Sequence, residues 1–495
     1  MTSTLKNQDG LLSDQLPSDI PLTLAEILGT DVETTATFDV EDPATEEVIA
    51  KVPDTQKEHW LDALSRAVVA QEQWSHFAPR QRAELLRSVF DRMVARGEDF
   101  VRTMTLEMGK PIGESRAEVG YGSEFFRWFS EEAVRIPGRL GPAPGGNGDI
   151  MVTRDPVGPV LAVTPWNFPL AMATRKIASA LAAGCPVLVK PAKETPLTML
   201  LVGKIIGEAL DEIGAPRDLV QILPTKGSSA MSSTLMADPR LRKITFTGST
   251  NVGKLLVKQS ADNLLRTSME LGGNAPFIVD ESADLDVVIG AAIQAKMRNA
   301  GQACVAANRF IVHESIAEEF TSRLVEAMGE IQFGHGLDEA NTMGPLITRA
   351  QRDGVRKLVS DAKDDGARVL LGGEVPEGKG HFYLATVLAD VPADARILRE
   401  EIFGPVAVVT TFATLDDGIA MANDTEFGLA AYGFSENIRV ARRFAGELRA
   451  GMIGINRGHV SDASAPFGGI KESGFGREGG TEGIEEYLDV RYVAM

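Results

Sequence analysis

The sequence predicts an α/β protein centred on a parallel, doubly wound sheet, and three observations carry the prediction. Short apolar runs of strand length alternate with helical periodicity from residue 157 to 270. A second alternating region follows from about 271 to 465. At 495 residues the chain is longer than one hydrophobic core fills, so two or more packed domains are expected.

In chain order, residues 1–50 are polar and irregular until Ala36–Val40, and read as an arm laid onto the body. Residues 57–135 carry apolar side chains at helical three-and-four spacing, through Leu61, Leu64, Ala67 and Val68 and then Leu85, Val89 and Met93. The Pro- and Gly-rich stretch Pro137–Asn147 breaks that pattern and leads into an extended strand near Asp149–Arg154. Val160–Thr164, Pro186–Val189, Val220–Leu223 and Ile244–Thr247 read as buried strands. Leu170–Ala183, Leu197–Ile213 and Ser228–Ala237 read as the helices between them. In such a sheet ligands bind at the carboxyl ends of the strands, so the loops after Val163, Val189 and Thr247 should converge on one. The second region offers strands at Phe277–Val279, Arg309–Val312, Val369–Leu371 and Val406–Phe412. After Gly468 a Gly-rich tail ends in an alternating strand from Glu486 to Val493 that has no partner nearby in sequence. That strand and Asp149–Arg154 are both expected to pair with another subunit.

A net charge of −19, from 69 acidic and 50 basic residues, argues against a nucleic-acid partner. An anionic substrate would have to be gripped by local buried cations, for which Arg175 and Arg298 are candidates. Two cysteines, Cys185 and Cys304, make no disulfide framework and favour a reducing compartment. The N-terminus is polar, and no apolar run approaches the roughly 18 residues of a membrane span, so the expected location is cytoplasmic, without membrane contact. The six histidines are scattered without ligand spacing, and no metal site is expected.

Gly248-Ser-Thr-Asn-Val-Gly-Lys254-Leu255 nearly spells the phosphate loop of nucleotide triphosphatases, but Leu255 has no oxygen with which to hold Mg²⁺. The strand-to-helix setting still suits a phosphate, because free amides at a helix start attract anions. The bland alternative is a tight turn that needs glycine. A phosphate-loop nucleotidase is the reading from another class.

Four segments alter that balance together: Pro165-Trp166-Asn167-Phe168-Pro169, Glu270-Leu271-Gly272-Gly273-Asn274, Gly301-Gln302-Ala303-Cys304 and Glu400-Glu401-Ile402-Phe403-Gly404-Pro405. In order and spacing they resemble the aldehyde dehydrogenase superfamily, from about Leu106–Pro111 to Pro466–Lys471. The resemblance implies that family's fold. A Rossmann-like cofactor domain would span 1–136 and 156–269, an α/β catalytic domain 270–468, and a small β oligomerisation element 137–155 and 469–495. It also implies a homodimer or homotetramer.

The chemistry explains the residue types. A thiolate attacks a carbonyl far better than a hydroxyl does at neutral pH, which makes Cys304 the nucleophile. The Asn167 amide and the Cys304 N–H would stabilise the oxyanion, and hydride would pass to a nicotinamide cofactor. Glu270 resembles the family's general base, which activates water to release the acid. Cys185, which precedes an apolar strand, reads as a small buried hydrophobe. By resemblance the cofactor would be lined by Pro165, Trp166, Asn167, Lys190, Ala192 and Lys193, by Gly248 and Ser249 at the pyrophosphate, by Glu270 and Leu271, and by Glu401 and Phe403 at the nicotinamide ribose. Family members that use NAD often carry glutamate where Lys193 stands, so the cation implies NADP, with NAD still possible beside Glu194.

Three further strings, Met297–Gln302, Asn423–Tyr432 and Ala465–Lys471, resemble the succinate-semialdehyde dehydrogenases within that family. There two arginines and a serine grip the distal carboxylate, and Arg175, Arg298 and Ser461 occupy matching positions. The planar guanidinium fork suits a carboxylate. Glutarate semialdehyde, one methylene longer, would use the same grip. Some of that group carry a second cysteine two places after the nucleophile. Ala306 stands there, so no local disulfide switch can form.

Overall fold

The computed structural model describes residues 12–29 and 34–495. Its strands are β1 (Thr37–Asp42), β2 (Glu47–Pro53), β3 (Arg139–Pro142), β4 (Asp149–Pro156), β5 (Val160–Val163), β6 (Val187–Lys190), β7 (Val220–Ile222), β8 (Lys243–Thr247), β9 (Arg266–Glu270), β10 (Ala275–Val279), β11 (Ala307–His313), β12 (Arg368–Leu371), β13 (Thr386–Ala389), β14 (Val406–Phe412), β15 (Ala430–Phe434), β16 (Met452–Ile455), β17 (Gly474–Phe475) and β18 (Leu488–Ala494).

The first large sheet runs β17-β9-β8-β5-β6-β7, parallel except for the edge strand β17. The chain moves outward from β5 through β6 to β7, then returns to the other side of β5 for β8 and β9. The crevice therefore opens where the order reverses, beside β5. β5, β6 and β8 are buried on both faces, which is why they read as continuous apolar runs rather than alternating ones. Helices Pro79–Ala95, Ile112–Glu132, Ala171–Ala183 and Leu197–Glu212 contribute to the core on one face. Lys57–Trp74 and Ser228–Met236 contribute to the core on the other.

The second sheet runs β12-β13-β14-β11-β10-β15-β16, parallel except where β12 meets β13. Its larger core lies against helices Leu285–Met297, Ala317–Gly329 and Arg349–Asp364, and a smaller one against Leu415–Asn423 and Ile438–Glu447. β9 and β10 are separated by only four residues, Leu271–Asn274. That short crossing brings the end of the first sheet beside the start of the second.

Two expectations are corrected. Residues 37–53 are not an irregular arm. β1 and β2 form an antiparallel hairpin with a bulge after Val40, and Phe38, Val40, Ile49 and Val52 join the first core. Asp42 bonds His335 across 2.8 Å and so ties the hairpin to the far half of the chain. The parts of the arm reading at 1–11 and 30–33 lie outside the described residues. The two outlying strands, distant in sequence, find a partner in each other within the chain: β18 lies antiparallel on β4 from Leu488↔Pro156 to Ala494↔Ile150, with β3 beyond and the outer edge of β18 unpaired. Their separation in sequence hid the partnership. No helix among the described residues is long and apolar enough to cross a membrane.

Candidate active site

The turn from β5 into helix Ala171–Ala183 carries Asn167, and buried charge holds it in place. Lys110 is ion-paired with Glu118 and donates to the Asn167 carbonyl at 2.9 Å. Glu118 in turn accepts the Leu170 and Ala171 amides at 3.0 and 3.1 Å, satisfying N–H groups left free at the helix start. The Asn167 amide nitrogen donates to the Gln302 carbonyl at 3.0 Å. The second hydrogen of that amide has no partner among the described residues.

Cys304 follows a strained turn. Asn299, Ala300 and Gly301 have φ of 52°, 54° and 75°, and a side chain at Gly301 would collide with the Gly404 carbonyl. Several bonds fix this turn: the Asn299 amide donates to Glu114 at 2.6 Å, and the Gln302 side chain bonds Asn299, Pro345 and Ile347. A Cβ on Gly273 would lie 2.8 Å from the Cys304 carbonyl oxygen, so the crossing between the sheets needs a residue without one. Burial pushes the Cys304 thiol up to about 12, against the attraction of Arg175. At rest the sulfur is therefore protonated.

Glu270 ends β9, is 2% exposed, and has no hydrogen-bond partner for either oxygen among the described residues. Burial, and then the Glu478 carboxylate, hold its carboxyl well above the usual range. Glu478 is ion-paired with Arg175 and Lys176, which keep it below the usual range despite burial. Lys176 also donates to Thr245 at 3.0 Å. Sequence reading missed Glu478, Lys176 and Tyr121. Glu478 lies in a glycine-rich tail without regular pattern, and the β17–β9 pairing, a bridge to Phe467 and its two ion pairs bring it near Glu270.

The candidate cofactor residues gather at the carboxyl ends of the first sheet, and they fit a dinucleotide. Ser249 opens helix Thr250–Ser260 without a side-chain cap, so the amides of that turn are free for a diphosphate. Gly248 precedes it, and Leu271 packs against Gly253. Burial lowers Lys190, at the end of β6, to about 8. Trp166, after Pro165, meets Phe403 edge to face at 5.4 Å. Glu401 accepts the Gly273 amide at 3.1 Å, and burial raises its carboxyl to about 7. Ala192 is buried, whereas the Lys193 side chain is 58% exposed and 3.9 Å from Glu194. Lys254, the lysine of the apparent phosphate loop, turns aside to pair with Glu472 at 2.8 Å.

The candidate substrate residues are less uniform. Arg298 lies 4.4 Å over the Phe168 ring and forms no ion pair among the described residues. It lines a cavity of about 570 Å³ with Tyr121, Met297 and His459. Arg175 is fully buried, paired with Glu478 and 4.3 Å over Phe467. Ser461 is partly buried. Its carbonyl lies 2.7 Å from His459 Nε2, which must carry the proton because a carbonyl only accepts. Among the described residues no cluster of His, Cys, Asp or Glu could hold a metal ion.

A thiol, a buried carboxyl, an amide donor and an uncapped helix start suit the oxidation of an aldehyde by a bound dinucleotide. The aldehyde dehydrogenase family model matches residues 30–493, and the chain belongs to that family. It is 52% identical to a succinate-semialdehyde dehydrogenase of Paenarthrobacter nicotinovorans, over 90% of this chain and 99% of that one. It is 41% identical to a glutarate-semialdehyde dehydrogenase of Pseudomonas aeruginosa, over 94% and 95%. The crystal structure of an Escherichia coli NADP-dependent enzyme superposes with a TM-score of 0.91 at 41% identity, covering 93% of this chain and 95% of that one. The protein is an oxidoreductase.

Proposed function

We propose that this enzyme oxidises succinate semialdehyde to succinate with NADP⁺ through a thioester on Cys304. The Cys304 thiol gives its proton to water, and the thiolate, favoured by the nearby Arg175 guanidinium, adds to the aldehyde carbon. The second Asn167 amide hydrogen and the Cys304 N–H hold the new oxyanion. A dinucleotide would be held by Trp166 and Lys190, by Gly248 and Ser249 at its pyrophosphate and by Glu401 and Phe403 at its nicotinamide ribose, and would supply the hydride acceptor. Collapse of the thiohemiacetal leaves the thioester. Glu270, once ionised, takes a proton from water as that water attacks the acyl carbon and the thiolate departs.

Lys193 and the likeness to the E. coli NADP-dependent enzyme support NADP; its exposure and the neighbouring Glu194 leave room for NAD. The two cysteines, both free, suit a reducing cytoplasm. The edge strand β18, with Val490 and Tyr492 exposed, supports a homodimer or homotetramer.

One observation carries the substrate assignment: Arg298 faces the cavity without an ion pair among the described residues, the neighbouring Glu114 carboxylate being engaged by the Asn299 amide. Truncating one side of a buried charge pair costs about 2–5 kcal/mol. Arg298→Ala should therefore lower the ratio of kcat/KM for succinate semialdehyde to that for butanal by roughly thirty- to several-thousandfold. An unchanged ratio would refute the carboxylate grip. The Pseudomonas aeruginosa relative makes glutarate semialdehyde the second reading, because one methylene separates two such substrates by only about 1–3 kcal/mol.

A further inference from the structure

A lysine in the last turn of a helix ordinarily extends its ammonium into water, where it complements the helix dipole. Lys296, in the last turn of helix Leu285–Met297, is instead fully buried. Its Nζ donates to the side-chain oxygen of Asn308, on β11, at 2.9 Å, and no carboxylate touches it among the described residues. Asn308 is itself buried and carries no charge. One amide does not replace the hydration of an ammonium, so a lysine in this position calls for an opposite charge within reach.

That charge is Glu401. Burial brings the Lys296 ammonium down to about 7, and the one charge opposing this is Glu401. The relation is mutual: burial brings the Glu401 carboxyl up to about 7, against the Gly273 amide and the charge of Lys296. The two groups are not in contact and act on each other across the protein interior, where charge is weakly screened. Cys304 also lies within reach of Glu401, and it is a neutral thiol at rest. Glu401 rests on the crossing between the sheets. It accepts the Gly273 amide at 3.1 Å, and its Oε2 lies 2.5 Å from where a Cβ on Gly272 would stand.

We propose that Lys296, anchored by Asn308, is a positioning residue for the cofactor, supplying the buried counter-charge to Glu401, the carboxylate that would hold the nicotinamide ribose. The proposal rests on that reading of Glu401. Ribose hydroxyls donate to a carboxylate through charge-assisted bonds, roughly twice as strong as those to a neutral group. A protonated carboxyl also gives up part of its acceptor capacity to its own O–H. Dinucleotide binding therefore strengthens as Glu401 ionises, and Lys296 moves that ionisation to lower pH.

The test is the Kd of NADP⁺, measured by calorimetry without aldehyde from about pH 6 to about pH 9. In the parent, Kd should tighten in a step as pH rises through about 7. Lys296→Met keeps the buried stem and loses the charge, so the step should move up by about one pH unit or more. Binding should then be roughly fivefold weaker near neutral pH, where the ionised fraction falls from about a half to about a tenth, and should approach the parent's at the alkaline end. Lys296→Gln, which can still meet Asn308 but carries no charge, gives the same reading where the Met variant does not fold. Glu401→Gln should abolish the step, and adding Lys296→Met to it should not move Kd further. A parent-like step in a folded Lys296 variant, or a loss equal at every pH, overturns the proposal when Glu401→Gln has abolished the step. A step that survives Glu401→Gln removes instead the reading of Glu401, and the role of Lys296 with it.

Discussion

Glu270 carries a stability cost that its proposed role as the base would account for. Its carboxyl is buried without a hydrogen bond and beside a second carboxylate, so the folded protein holds its proton to higher pH than the unfolded chain does. Below the ordinary carboxylate range both states are protonated and Glu270 has no effect. As pH rises past that range the unfolded chain releases the proton first, so stability falls until the folded carboxyl also ionises. Glu270→Gln should therefore raise the melting temperature relative to the parent, with a gain near zero at pH 4 that grows toward neutral pH. Paired thermal scans across that window check it, and a gain independent of pH would contradict it. Cys304, Glu270 and Asn167 stood out in the sequence because each lies in a short motif of fixed spacing. Glu478 and Tyr121 lie in no such motif. They enter the site through β17 and one face of a long helix, which only the tertiary structure brings together.

At the scale of elements, the turn carrying Asn167 is held from outside by the Lys110–Glu118 pair. Both partners are buried, so removing one leaves the other uncompensated, at about 3–5 kcal/mol. Lys110→Met should also release the Asn167 carbonyl, and a misplacement of this kind far from the chemistry can slow a reaction by about a hundredfold. Stopped-flow measurement of the first hydride transfer, with cofactor affinity measured separately, tests this. A normal transfer rate in the folded variant would show that Asn167 is placed without Lys110. The apolar strands β5, β6, β8, β11 and β14 were legible as runs of Val, Ile, Leu and Phe. β15 and β16 were not, because Gly433 and Gly454 dilute segments of five and four residues. The β1–β2 hairpin escaped because its alternation is set in acidic sequence, with Asp39, Glu41 and Asp42 between the apolar positions.

In the whole molecule, two sheets meet through Leu271–Asn274, so Glu270 from the first and Glu401 from the second both lie within electrostatic reach of Cys304. The net charge of −19 opposes an anionic substrate at long range, which the proposed Arg298 grip would offset locally. The central claim is that an acyl group rests on Cys304 until Glu270 activates water. Glu270→Gln mixed with succinate semialdehyde and NADP⁺, then quenched, digested and read by mass spectrometry, tests it most directly. The prediction is a succinyl group on the Cys304 peptide, matched by one equivalent of reduced cofactor per chain and no further turnover. Reduced cofactor without that adduct, or an adduct on Cys185 instead, would contradict it.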